Sequence, residues 1–166
     1  EILFSDISFS YTQEKDEVLR NVNFSIKKGE TIGLVGESGS GKSTLSNLLL
    51  GLLEPTKGEI LIDSTKLTEN NFTRWQQMIG YVPQEVYLLD DSIRRNIAFG
   101  LDDLEIDDDR VNLVIEMAQL RNLVEGTQDG LNLILGERGA RLSGGQKQRI
   151  GIARALYNDP QVLIMD

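Results

Sequence analysis

The chain has 166 residues, with 17 Lys and Arg against 26 Asp and Glu, a formal charge of −9. Apolar residues make up 40% and charged residues 26%. This is ordinary usage for a folded domain and excludes intrinsic disorder and collagen-like structure. With neither His nor Cys, imidazole and thiolate metal sites, disulfides and His-assisted nucleophiles are out. The acidic balance argues against nucleic acid as a partner. No apolar run approaches the ~20 residues of a membrane helix.

Residues 2–11 and 18–26 carry β-favouring side chains at near-alternate positions and predict two strands. The polar stretch 12–16 joins them. A Lys-Lys-Gly-Glu turn at 27–30 leads to an expected apolar strand at 31–35. Beyond a glycine-rich stretch, Leu45, Leu48, Leu49, Leu52 and Leu53 recur at helical spacing. Pro55 ends that region. Residues 59–63 predict a strand, 72–78 a helix and 79–83 another strand. A short helix is expected over 91–99. The run Asp107, Asp108, Asp109 reads as the solvated start of a second helix, where negative charge suits the dipole. Gly136, Gly139, Gly144 and Gly145 mark a second glycine-rich region, followed by a helix that Asn158-Asp159-Pro160 breaks. Residues 161–166 form an apolar strand ending on Asp166. The alternation predicts an α/β fold with a mainly parallel sheet, an antiparallel layer from the first two strands and a separate helical lobe.

Gly36-Glu37-Ser38-Gly39-Ser40-Gly41-Lys42-Ser43 fits the phosphate-loop pattern G-x-x-x-x-G-K-[ST]. Its context, a strand before and an amphipathic helix after, is the one the motif needs. Glycines let successive N–H groups point inward at phosphate oxygens, and the helix start adds partial positive charge. Lys42 is placed to reach the β- and γ-phosphates. The Ser43 hydroxyl suits Mg²⁺, and Thr44 can donate to the α-phosphate. This loop alone fits GTPases, small-molecule kinases and motor ATPases.

Leu142-Ser143-Gly144-Gly145-Gln146 decides among them. It is the signature pentapeptide of ATP-binding-cassette (ABC) proteins. Together with the phosphate loop and Val162-Leu163-Ile164-Met165-Asp166, it makes the whole chain resemble an ABC nucleotide-binding domain with a P-loop NTPase core. The resemblance implies core and β layer over about 1–83 and 147–166. It places the Q-loop, helical subdomain and signature over about 84–146. It implies that Tyr11 stacks on adenine, with Val18 beside it. Gln84 then touches Mg²⁺ and the attacking water, and Asp166 is the Walker B aspartate holding Mg²⁺ through water. Residues 91–100 resemble the segment after the Q-loop in exporter-type cassettes. Leu135-Gly136-Glu137-Arg138-Gly139 resembles their X-loop, which touches the transmembrane part.

In such proteins the signature residues Ser143, Gly144, Gly145 and Gln146 close over ATP held by a second nucleotide-binding domain. The implied cofactors are therefore ATP and Mg²⁺. The implied partners are a second such domain, as homodimer or heterodimer, and a transporter's transmembrane domain, at the cytoplasmic face of the cell membrane. The family's catalytic glutamate directly follows the Walker B aspartate, where this chain stops, so the chain is read as a truncated domain. Loss of a general base typically slows turnover ~10²–10⁴-fold, so this piece alone is expected to hydrolyse ATP poorly. Its last strand is expected to lack a neighbour that the missing sequence would supply. The alternatives are a soluble ABC-type ATPase and a nucleotide-gated interaction module without transport. The short spacing from Gln84 to Leu142, without sustained heptads, disfavours the coiled-coil repair and chromosome proteins.

Overall fold

The computed structural model describes residues 1–12 and 16–166. Residues 13–15, part of the expected polar link, lie outside that description. The chain divides into two compact units, Glu1–Gln76 and Gln77–Asp166.

The first unit is built on an antiparallel sheet in the order β2-β1-β3-β4. Its strands are β1 (Ile2–Phe9), β2 (Leu19–Ile26), β3 (Lys57–Ile62) and β4 (Thr65–Lys66). β1 pairs on both edges and buries Ile2, Phe4, Ile7 and Phe9. Strict alternation from Phe4 would bury position 6, not 7. Asp6, at φ 51°, absorbs the difference as a bulge. Asn23 stitches the bulge: its Oδ1 accepts from Asp6 N at 2.8 Å, and its Nδ2 donates to Asp6 Oδ1 at 2.9 Å. Phe4 stacks on Phe24 across the sheet, with ring centroids 4.3 Å apart.

Helix α1 (Lys42–Leu49) is shorter than the leucine stripe predicts. Gly51, at φ 68°, turns left-handed and ends it. Leu48 is buried, whereas Leu52 is exposed. The last carbonyl of α1 and that of the next residue, Leu50, are satisfied from α2 (Phe72–Gln76). Trp75 Nε1 donates to Leu49 O at 2.6 Å, and Gln76 Nε2 to Leu50 O at 3.1 Å.

The strand expected at 31–35 does not form. The described residues show no strand there; Ile32 and Leu34 are exposed, and Val35 is 97% exposed. Apolar residues become a strand only where a neighbouring strand takes up their N–H and C=O groups.

The second unit holds one parallel pair, β5 (Ile79–Val82) against β6 (Val162–Met165), with Val82 opposite Met165. Around it lie α3 (Ile93–Ile97), α4 (Asp108–Met117), α5 (Arg121–Glu125) and α6 (Gly144–Tyr157). α3 starts on Ser92, whose side chain accepts from Arg95 N. α4 starts on Asp107, which caps Arg110 N at 3.0 Å, with Asp108 and Asp109 in its first turn. The acidic run is thus a helix start, as its charge pattern suggests. Leu88, Ile93, Val111, Val114, Leu135 and Ile150 form the heart of this core, each contributing roughly 1.5–3 kcal/mol by burial. Arg110 closes the far end of α6, donating to Leu156 O and Tyr157 O, both at 2.8 Å.

The fold is α/β with the expected antiparallel N-terminal layer. Among the described residues the parallel part is the β5–β6 pair, and the larger sheet is antiparallel. No helix among the described residues is long and apolar enough to cross a membrane.

Candidate functional site

The glycine-rich stretch before α1 forms a cradle. Gly39 and Gly41 take φ of 83° and 91°, conformations that favour glycine. Gly41 is also crowded, since an added Cβ would lie 2.7 Å from Leu19 Cδ2. Gly36 is pressed against Ser40, whose Oγ would lie 2.5 Å from a Cβ there. The N-cap of α1 is Gly41 itself, which offers no side-chain cap. The N–H groups of Lys42, Ser43 and Thr44 therefore have neither an intrahelical acceptor nor a capping oxygen. Lys42 Nζ lies inside the loop, donating to Gly36 O and Glu37 O at 2.8 Å each.

Tyr11 and Val18 face the same space. With Ser38, Gly39, Gly41, Lys42, Ser43 and Thr44 they line a cavity of about 390 Å³, within the range of small-molecule sites. Tyr11 is 58% exposed. Its ring packs edge-on against Phe9, and its hydroxyl lies 3.1 Å from the buried Thr44 Oγ1. One side of the cavity is thus an aromatic and an aliphatic surface, and the other is backbone N–H groups, three hydroxyls and an ammonium. That donor set fits a planar base carrying a polyphosphate. Gly36 and Ser40 shape the loop beneath it.

In the second unit, Gln84 and Asp166 come to the same end of two adjacent parallel strands. Asp166 N donates to Val82 O at 3.0 Å, and Gln84 follows Val82 by two residues and is exposed. The carboxyl ends of parallel strands are where α/β folds hold ligands, and amide and carboxylate oxygens are the donors Mg²⁺ prefers. Burial, and then the nearby Asp166 carboxylate, push the Tyr81 phenol above its ordinary pKa, so it stays protonated beside them.

The second glycine-rich helix start is built differently. Ser143 is a side-chain N-cap: its Oγ accepts from Gln146 N at 3.3 Å, and Gln146 Oε1 accepts from Ser143 N at 2.8 Å. This reciprocal box uses the Gln146 side chain within the fold. Ser143, Gly144 and Gly145 are exposed. A Cβ at Gly144 or Gly145 would meet nothing within 4 Å. The chain's own packing therefore gives no reason for glycine at either position.

The two exporter-like segments lie together. Leu135 N donates to Asp91 O and Ile93 N to Leu133 O, both at 3.1 Å. Sequence reasoning gave no role to Asn96 within the first segment and missed two residues beside it, Gly151 and Arg154. A signal was present for Arg154. Positions 150, 153, 154 and 157 share one helical face, and an Arg in an apolar stripe needs a partner.

The ABC transporter family matches residues 19–166. This chain belongs to that family. It is 45% identical over its full length to the leukotoxin translocation ATP-binding protein LktB of Pasteurella haemolytica-like sp. (strain 5943B), covering 23% of that protein. It is 40% identical to the ATP-dependent lipid A-core flippase of Ralstonia nicotianae (strain ATCC BAA-1114 / GMI1000), again over its full length and covering 28% of that protein. The solved structure of a bacterial Atm1-family ABC exporter with ATP bound superposes on 99% of the chain with a TM-score of 0.89, at 34% identity, and the match covers 29% of that exporter. The chain thus spans about a quarter of the length of these relatives.

Proposed function

We propose that this chain is the nucleotide-binding domain of an exporter-type ABC transporter, which binds Mg-ATP and hydrolyses it to drive export. The observation that carries the reading is the cavity in which Tyr11 and Val18 face the glycine loop. Tyr11 and Val18 sandwich the base edge. The N–H groups at the start of α1 take the phosphate oxygens. Lys42 exchanges Gly36 O and Glu37 O for charged phosphate oxygens, which are stronger acceptors. Ser43 in the first unit, and Gln84 and Asp166 in the second, each carry an oxygen of the kind Mg²⁺ prefers, as the family resemblance implies. Mg²⁺, when bound, neutralises phosphate charge and orients the leaving group.

Ser143, Gly144 and Gly145 are assigned to nucleotide on a second domain, homologous or identical. Their exposure and the empty space over both glycines support a surface that another body approaches closely. The remaining partner is a transmembrane domain, which places the chain at the cytoplasmic face of the membrane. Phosphate release from Mg-ATP by the full-length protein tests the reading. Turnover that disappears in Lys42→Ala is expected; no phosphate release from the intact protein would refute it.

A further inference from the structure

One face of α6 touches the segment that follows Gln84 at two positions a single turn apart. At Gly151 an added Cβ would lie 2.6 Å from Val86 Cγ2, so the helix backbone and the buried Val86 meet at a distance that only glycine allows. At Arg154 the guanidinium reaches over the same segment. Nη1 donates to Tyr87 O at 2.9 Å, Nε to Asn96 O at 2.8 Å, and Nη2 to Asn96 Oδ1 at 3.2 Å. Asn96 is 0% exposed and clamps the other end of the segment. Its Oδ1 accepts from Leu89 N at 2.9 Å, and its Nδ2 donates to Leu89 O at 3.1 Å. The Phe99 ring covers the guanidinium at 4.8 Å.

Arg154 pairs with no carboxylate among the described residues. All three of its acceptors are neutral oxygens of Tyr87 and Asn96. Burial pushes its pKa down, as expected for a cation without a counter-ion. A half-buried charge without a counter-ion is costly, and an apolar side chain of similar volume often fills such a place at little loss of stability. Packing alone therefore does not account for an arginine here. Its planar fork does, because it can bond two carbonyls and an amide oxygen at once.

We propose that Arg154 is a positioning residue, which locks the segment from Tyr87 to Asn96, and through it the exposed Gln84, to the helix capped by Ser143. α6 is continuous over its 14 residues. Arg154 lies eleven positions after Ser143, about 16 Å along the axis at 1.5 Å per residue. A contact made at the Ser143 end therefore moves Gly151 and Arg154 as one body, and Val86 and Tyr87 with them. The inference rests on the nucleotide-binding reading and deepens it: Arg154 touches no ligand and acts only through Gln84.

The test uses the full-length protein with Arg154→Met, Arg154→Lys, Gln84→Ala and the double variant Gln84→Ala/Arg154→Met. Nucleotide affinity and turnover are measured for each. Arg154→Met is expected to keep nucleotide affinity within about twofold and to lower kcat by about 10- to 100-fold, the scale of a small misplacement in a site. Arg154→Lys, which can bond one carbonyl but not three acceptors, is expected to recover part of the loss. If Arg154→Met does not fold, Arg154→Lys, with charge and stem retained, gives the same comparison with Gln84→Ala. The double variant is expected to turn over no more slowly than Gln84→Ala alone. A merely structural arginine would give additive losses, and additivity, or wild-type kcat in the arginine variants, overturns the proposal. Lys42→Ala in the same assay separates the two levels. Undiminished nucleotide binding there overturns the nucleotide reading and this inference together. Lost binding there beside wild-type turnover in Arg154→Met overturns the positioning role alone.

Discussion

The chain starts two helices with glycine-rich sequence, and the two starts do opposite things. Before α1, glycine is demanded from within. Gly41 sits at φ 91° against Leu19, and the helix has no side-chain cap, so its first N–H groups face the cavity. Before α6, Ser143 and Gln146 complete a capping box. Gly144 and Gly145 stand in open space. One start turns unpaired N–H groups toward a hollow; the other satisfies its own cap and stands exposed. The contrast teaches that a glycine's role is read from what a Cβ would meet, not from the motif that contains it.

Substitutions at the two starts can break or sharpen this contrast. Gly41→Ala should have the largest effect. The left-handed conformation costs an Ala about 1–3 kcal/mol, and the contact with Leu19 adds to it. A thermal melt and a nucleotide titration should both show a marked loss; an unchanged melt would mean the cradle tolerates a side chain. Gly151→Ala, along α6 from the second start, should cost about 1–3 kcal/mol by overpacking against Val86. Adding Val86→Ala should return part of that stability, and a larger loss in the double variant would deny the contact. Ser143→Ala should cost about 1 kcal/mol through the lost cap, read as a shift in denaturation midpoint. Gly144→Ala should be the smallest and of opposite sign. It should raise stability by at most about 1 kcal/mol through helix propensity, while turnover of the full-length protein falls. A variant both more stable and fully active would remove the case for an approaching partner.

Much of the site was legible because its signals are local. The phosphate loop needs only neighbouring residues, and Lys42, Ser43 and Thr44 follow from their order. That Tyr11 and Val18 share its cavity came from the family resemblance, since a residue 25 positions from the loop carries no local sign of facing it. The expected strand at 31–35 failed because pairing is non-local: apolar alternation cannot show whether a neighbouring strand is present. The leucine stripe overran α1 because periodicity continues across Gly51, whereas the backbone does not. Arg154 was missed because its acceptors are non-local: Asn96 and Tyr87 lie 58 and 67 positions away in the chain.

The central claim is that the α1 start holds nucleotide on its own chain while the α6 start serves a second nucleotide-binding domain, identical or homologous. Calorimetric titration of Mg-ATP into the full-length protein, as wild type, Lys42→Ala and Ser143→Arg, tests it most directly. The account expects Lys42→Ala to lose binding and Ser143→Arg to take up the first nucleotide with wild-type affinity. Wild-type affinity in Lys42→Ala, or a loss in Ser143→Arg as deep as that of Lys42→Ala, would contradict it.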